Sequence, residues 1–218
     1  MTASRVANIF LRDNPLRQEF KTALAQYQAT SAPVTYGLIL IVTAVFAAEV
    51  ALTVLLEVRS IRVFATGSFK LHPELAWLFA PILHAGGRHF LANVGGLLVL
   101  GIPVEQQVTT RRFWIFLLAT AYLSTLGGWL SKAAFTTTPI AVYGISGTVF
   151  ALAGYALVHF GRDTDRLPAF EWVAMLFGLA AAVTVAYDLF TGQYLHPEWI
   201  NGGHTTGLVI GLLAGVVR

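Results

Sequence analysis

The sequence predicts an all-α membrane protein, a bundle of six transmembrane helices, on three observations. Hydrophobic residues fill 56% of the 218 positions and charged residues only 11%, less than half the roughly 25% that a soluble domain carries. Mean hydropathy is +0.68. Beyond residue 36 the chain divides into six apolar segments, and the second, fourth and sixth each open on a polar cluster. This composition excludes a disordered chain, a coiled coil and an ordinary soluble enzyme. A net charge of +3 from 14 basic and 11 acidic residues is no nucleic-acid signature. Cysteine is absent, which excludes disulfides, thiolate metal ligands and a cysteine nucleophile.

Residues 1–36 read as a cytoplasmic N-terminal segment. Arg5, Arg12, Arg17 and Lys21 face only Asp13 and Glu19, and without an apolar run no cleaved export signal is expected. Ile9, Phe10, Leu16, Phe20 and Leu24 would line one face of a short amphipathic helix. Residues 37–218 read as the membrane domain. Its first segment, Leu38–Leu56, is interrupted by Glu49; the third is Phe113–Leu130. Both reach the length of about 17–25 residues that a lone span needs. Phe90–Val104, Ile145–Phe160, Trp172–Tyr187 and His204–Val217 are shorter, as suits helices whose tips are surrounded by protein. The first outside loop, residues 57–88, carries Phe64, Phe69, Leu75, Trp77 and Phe79, so it is expected to embed in the outer leaflet. Positive charge sets the orientation. With the N-terminus inside, Arg5, Arg12, Arg17, Lys21, Arg111, Arg112, Arg162, Arg166 and Arg218 are cytoplasmic, against Arg59, Arg62, Lys70, Arg88 and Lys132 outside.

This topology brings three polar clusters to one depth below the outer surface: His89 with Asn93, Gly144-Ile145-Ser146-Gly147, and Asn201-Gly202-Gly203-His204. Polar groups at membrane depth are costly and mark function. A serine hydroxyl becomes a nucleophile only when a base takes its proton, and His204 is the best-placed base. The plainer readings are a serine bonded to its own helical turn and a histidine in an interhelical hydrogen bond. Glycine tips the balance. Gly203, Gly207, Gly211 and Gly215 form a stripe on the sixth segment, and Gly147, Ala151 and Gly154 a small face on the fourth, which lets two backbones approach closely. His89 and Asn93, spaced i, i+4, share a helix face and donate hydrogen bonds suited to an oxyanion, with the Ser146 N–H as a third donor. His84, His89 and His204 would be the ligands of a metal, but no carboxylate stands at ligand spacing, so none is expected. Asp188 is placed as a loop or capping residue at the end of the fifth segment, leaving a Ser–His pair.

In this order, His84-Ala85-Gly86-Gly87-Arg88-His89-Phe90-Leu91-Ala92-Asn93, Gly101, Glu105, Gly144-Ile145-Ser146-Gly147 and His204-Thr205-Thr206-Gly207 resemble the rhomboid intramembrane serine proteases over about residues 35–217. The Gly-x-Ser-Gly element alone also occurs in soluble hydrolases. The resemblance implies a six-helix rhomboid-like bundle with Ser146 as nucleophile and His204 as base. It makes His89, Asn93 and the Ser146 N–H the oxyanion hole. Phe150 would stack on the histidine, Gly144, Gly147 and Gly207 would support the site, and Glu105 would be a structural acid at the cytoplasmic end of the second segment. The implied activity is endopeptidase cleavage in or beside transmembrane segments of membrane-protein substrates, within the lipid bilayer and without a cofactor. The implied location is a prokaryotic cell membrane, with both termini cytoplasmic and no seventh helix; no oligomeric state is implied. The alternative is a catalytically silent adaptor or chaperone that binds transmembrane helices, against which the presence of both Ser146 and His204 argues. A transporter would need charge along a pathway, and only Glu49 lies mid-span. The chain departs from the family pattern twice: Leu78 follows Trp77 where the family often has arginine, and Val108-Thr109-Thr110 stand where a glycine is usual.

Overall fold

The structure is a computed structural model that describes residues 31–56, 73–135, 141–165, 167–194 and 200–217, with Gln18, Lys21 and Thr22. The amphipathic face expected from Ile9 to Leu24 falls almost wholly outside the described residues, as do loop residues 57–72. From residue 31 on, the described residues form seven helices, α1 Pro33–Leu56, α2 Pro73–Phe79, α3 Gly87–Glu105, α4 Thr110–Phe135, α5 Ser146–Phe160, α6 Ala169–Tyr194 and α7 Gly202–Val216, and a 3-10 turn, Ala80–Ile82, that follows α2.

Six of these coincide with the apolar segments, and α2 is a short addition in the stretch between α1 and α3. α1 begins at Pro33 rather than Leu38. Proline suits a first helical position, where no intrahelical N–H partner is needed, and the next two N–H groups find an acceptor on α3. α3 widens into one π-helical turn at Leu97–Gly101, just ahead of Pro103. Proline has no N–H for the carbonyl four residues back and presses on it, so the extra residue relieves that clash. α6 continues to Tyr194, which puts Asp188 inside a helix and not in a loop or cap. Hydropathy alone ends the segment at Tyr187, before the last two turns.

Four helices, α1, α3, α4 and α6, are long and apolar enough to cross a membrane. α5 and α7 have 15 residues each, about 22 Å of helix against a hydrocarbon core of about 30 Å. α5 is the centre of the bundle, with an unbroken buried run from Ala151 to Ala156. It is walled by protein, so its length need not match the lipid. Around it the core gathers Val34, Leu38 and Val42 of α1, Leu97 and Leu100 of α3, and Phe113 and Leu117 of α4. The outer faces are apolar too: Leu40 is 69% exposed, Leu55 76% and Phe190 62%. Water would not tolerate so continuous an apolar exterior, whereas lipid requires it.

Candidate active site

α5 and α7 run side by side, and their glycines set the separation. A Cβ on Gly207 would overlap the Gly147 carbonyl oxygen, and one on Gly211 the Ala151 carbonyl oxygen. The neighbouring atoms are backbone and cannot turn aside. α4 closes the third side: Ser131 Oγ accepts the Gly202 N–H at 3.1 Å, and Ser124 is pressed against Gly147 and Gly207.

This packing brings Ser146 and His204 together. His204 Nε2 lies 3.1 Å from Ser146 Oγ, and the Phe150 ring stacks on the imidazole with centroids 4.0 Å apart and planes 7° from parallel. Each side chain stands in the first turn of its helix. The Asn201 side chain accepts the His204 N–H at 3.2 Å, capping α7 and fixing the histidine's turn. Ser146 is the first residue of α5, where backbone N–H groups lack intrahelical partners and the helix dipole favours negative charge. The turn before it needs glycine: Gly144 has φ +100°, and a Cβ there would stand 2.6 Å from His89 Cε1. The Gly144 N–H donates to the Ala80 carbonyl at 2.7 Å, tying this turn to the loop end of α2.

His89, Ser146 and His204 line one cavity of about 410 Å³, with Ser124, Tyr143, Asn201 and others. Asn93 is not on its wall. Asn93 is buried, and its Nδ2 donates to His84 Nε2 at 3.0 Å. His84 sits against the rings of Phe46 and Phe90, and its N–H donates to the Glu49 carboxylate at 3.0 and 3.2 Å. The loop before α3 is thereby anchored to α1. Among the described residues, no three His, Asp or Glu side chains are grouped as metal ligands. Glu105 stands at the opposite end of α3, where its carboxylate accepts the Val34 and Thr35 N–H groups at 2.9 and 2.8 Å and the Thr35 hydroxyl at 2.7 Å.

Sequence reasoning passed over Tyr143, Ser124 and the Glu49–His84 link. Tyr143 meets His89 edge to face at 6.0 Å. The Ser124 hydroxyl is buried with no hydrogen-bond partner among the described residues. The i, i+4 spacing of Ser124 and Gly128 carried a faint signal, since both fall on the buried face of α4.

Fold and site together define a class: a helical membrane protein holding a serine–histidine pair where two helix N-termini meet. Residues 73–218 match the family model of the Rhomboid domain, and the chain belongs to the rhomboid family. It is an integral membrane protein. It is 30% identical over 137 residues to a rhomboid protease GlpG of Pectobacterium atrosepticum, covering 63% of this chain and 46% of that protein. It is 31% identical over 156 residues to RHOMBOID-like protein 1 of Arabidopsis thaliana, covering 69% of this chain and 36% of that protein. It is 27% identical over 183 residues to a rhomboid protease GlpG of an Enterobacter species, covering 73% of this chain and 60% of that protein. The chain thus spans about a third to three fifths of the length of these relatives.

Proposed function

We propose that the protein is an intramembrane serine endopeptidase that cleaves membrane-protein substrates in or beside their transmembrane segments by a Ser146–His204 dyad. The observation that carries this reading is the 3.1 Å approach of His204 Nε2 to Ser146 Oγ inside a cavity large enough for a peptide bond and water. His204 takes the Ser146 proton at Nε2 as the hydroxyl attacks the scissile carbonyl, then returns it to the leaving amine. The developing oxyanion falls at the positive end of α5, within reach of the Ser146 N–H and His89. Asn93 has a second amide N–H beyond the one given to His84, and we assign that donor to the same oxyanion. Six helices then cross the membrane, with both termini cytoplasmic and the cavity toward the outside.

The test is cleavage of a transmembrane-segment reporter by purified protein in proteoliposomes. Ser146→Ala, His204→Ala and the double variant should be equally inactive, because the two side chains act as one unit. His89→Ala and Asn93→Ala should remain measurably active, with turnover about 10²–10³ below wild type for a lost oxyanion donor. Substantial cleavage by Ser146→Ala overturns the dyad, and full activity in Asn93→Ala removes it from the oxyanion hole.

A further inference from the structure

The end of the bundle away from Ser146 and His204 holds a second, larger cavity of about 720 Å³. α5 sets the distance, since Ser146 and Phe160 at its two ends are about 21 Å apart along the helix axis. The cavity lies between the start of α4, the turn that precedes it, and the C-terminal ends of α5 and α7. Its walls are apolar and aromatic. Phe113 is buried, the Phe116 ring meets Tyr155 edge to face at 6.1 Å, and His159 stacks on Tyr155 at 5.0 Å. Its charged groups are Arg112, Arg162 and Asp163, a net charge of +1. The Arg162 Nη2 donates to the Val216 carbonyl at 2.8 Å, which uses one of five guanidinium donors and holds the group against the last turn of α7. Arg112 is exposed on the first turn of α4. One further acid stands nearby, Glu171, which accepts from the cavity residue Gln107 at 3.3 Å.

An apolar chamber with two arginines fits an amphiphile with one negative charge, and the ends of α4, α5 and α7 place it at a membrane face. We propose that this cavity binds an anionic phospholipid, its phosphodiester between Arg112 and Arg162 and part of an acyl chain against Phe113, Phe116 and Val217. Arginine suits the task because its planar fork pairs two N–H groups with two phosphate oxygens. Basic pockets between membrane helices recognise headgroups in this way. The site is separate from the serine–histidine pair, so binding is independent of proteolysis.

The experiment measures thermal melting of the full chain in phosphatidylcholine micelles as phosphatidylglycerol is added, with native mass spectrometry counting bound lipid. Wild type and Ser146→Ala should both gain about 2–4 °C and retain one phosphatidylglycerol. Arg112→Gln should bind about fivefold more weakly with its melting point in pure phosphatidylcholine unchanged. Arg112→Lys should recover part of the shift, as a charge without the fork. Ala214→Phe fills the chamber without touching charge and should abolish the shift. Equal protection by phosphatidylcholine overturns the proposal, as does an undiminished shift in both Arg112→Gln and Ala214→Phe. Equal protection by glycerol phosphate or inorganic phosphate shows a phosphate site with no lipid tail and overturns it as well.

Discussion

Helix α7 meets α5 backbone to backbone, whereas polar ties hold α1 to its neighbours at two carboxylates. On the first contact, the carbonyls of Gly147 and Ala151 occupy the space that side chains at Gly207 and Gly211 would fill. On the second, Glu105 takes the first N–H groups of α1, and Glu49, about four turns nearer the other end, takes the His84 N–H. Val34, Leu38 and Val42 supply the apolar part of that contact. At Gly207 and Gly211 the backbone seam has no room for an added atom, while a carboxylate tie has a finite strength and can fail alone. Ser146 and His204 sit at the head of the seam; the ties hold the loop and helix beside them.

The largest effect should come from breaking the seam. Gly211→Val sets a branched side chain against the Ala151 backbone, and overpacking of this kind costs about 3 kcal/mol or more where nothing can move. Protein yield and melting temperature should both fall, and cleavage of the reporter should be lost. Gly215→Ala grades the same contact, because its nearest neighbours, the Tyr155 carbonyl oxygen and Val158 Cβ, stand back at 3.0 Å, where a shift of a few tenths of an ångström makes room. It should keep most of its stability. Equal tolerance at both positions would mean that α5 and α7 lie farther apart than described.

Next come the two ties, and they should separate stability from activity. Glu105→Ala strands two N–H groups and the Thr35 hydroxyl at the start of α1, and each unsatisfied buried group costs about 1–3 kcal/mol. It should lower the melting temperature more than Glu49→Ala does. Glu49→Ala frees His84, whose Nε2 accepts from Asn93, so it should lower kcat by more than its loss of stability accounts for. Should the two variants lose kcat in the same proportion as stability, the Glu49 tie does not position Asn93.

The seam was legible in the sequence and the ties were not, for a physical reason. Gly203, Gly207, Gly211 and Gly215 recur at helical spacing, and a pattern within one helix needs no partner to be read. The polar openings at Gly144–Gly147 and Asn201–His204 were legible because so few polar groups stand in so apolar a chain. Glu49 meets His84 across 35 positions, and Glu105 meets Thr35 across 70. No local period links them, so Glu49 reads as an interruption in a hydrophobic run. Asn93 shows the same limit. Its spacing from His89 predicted a shared face, but the hydrogen bond that one of its amide N–H groups gives to His84 follows no period of the helix. The short helix α2 is hidden because apolar residues between two spans read equally well as a loop lying in lipid.

The smallest effect lies where the seam touches the reacting groups. Phe150 stands one turn beyond Ser146 on α5, so the two side chains share a helix face. Its ring covers the His204 imidazole at 4.0 Å, nearly parallel, and so limits rotation of that ring away from Ser146 Oγ. Phe150→Leu keeps an apolar side chain of similar bulk and removes only the ring-on-ring contact, worth about 0.5–1.5 kcal/mol. That corresponds to about a two- to twelvefold loss in rate. The loss should appear in kcat with KM unchanged, because the stack orients the base and touches no substrate. Steady-state cleavage of the reporter separates the two constants. An unchanged kcat would show that the Asn201 cap and the glycine seam already hold His204 in place, and a raised KM would move Phe150 from positioning the base to binding the substrate.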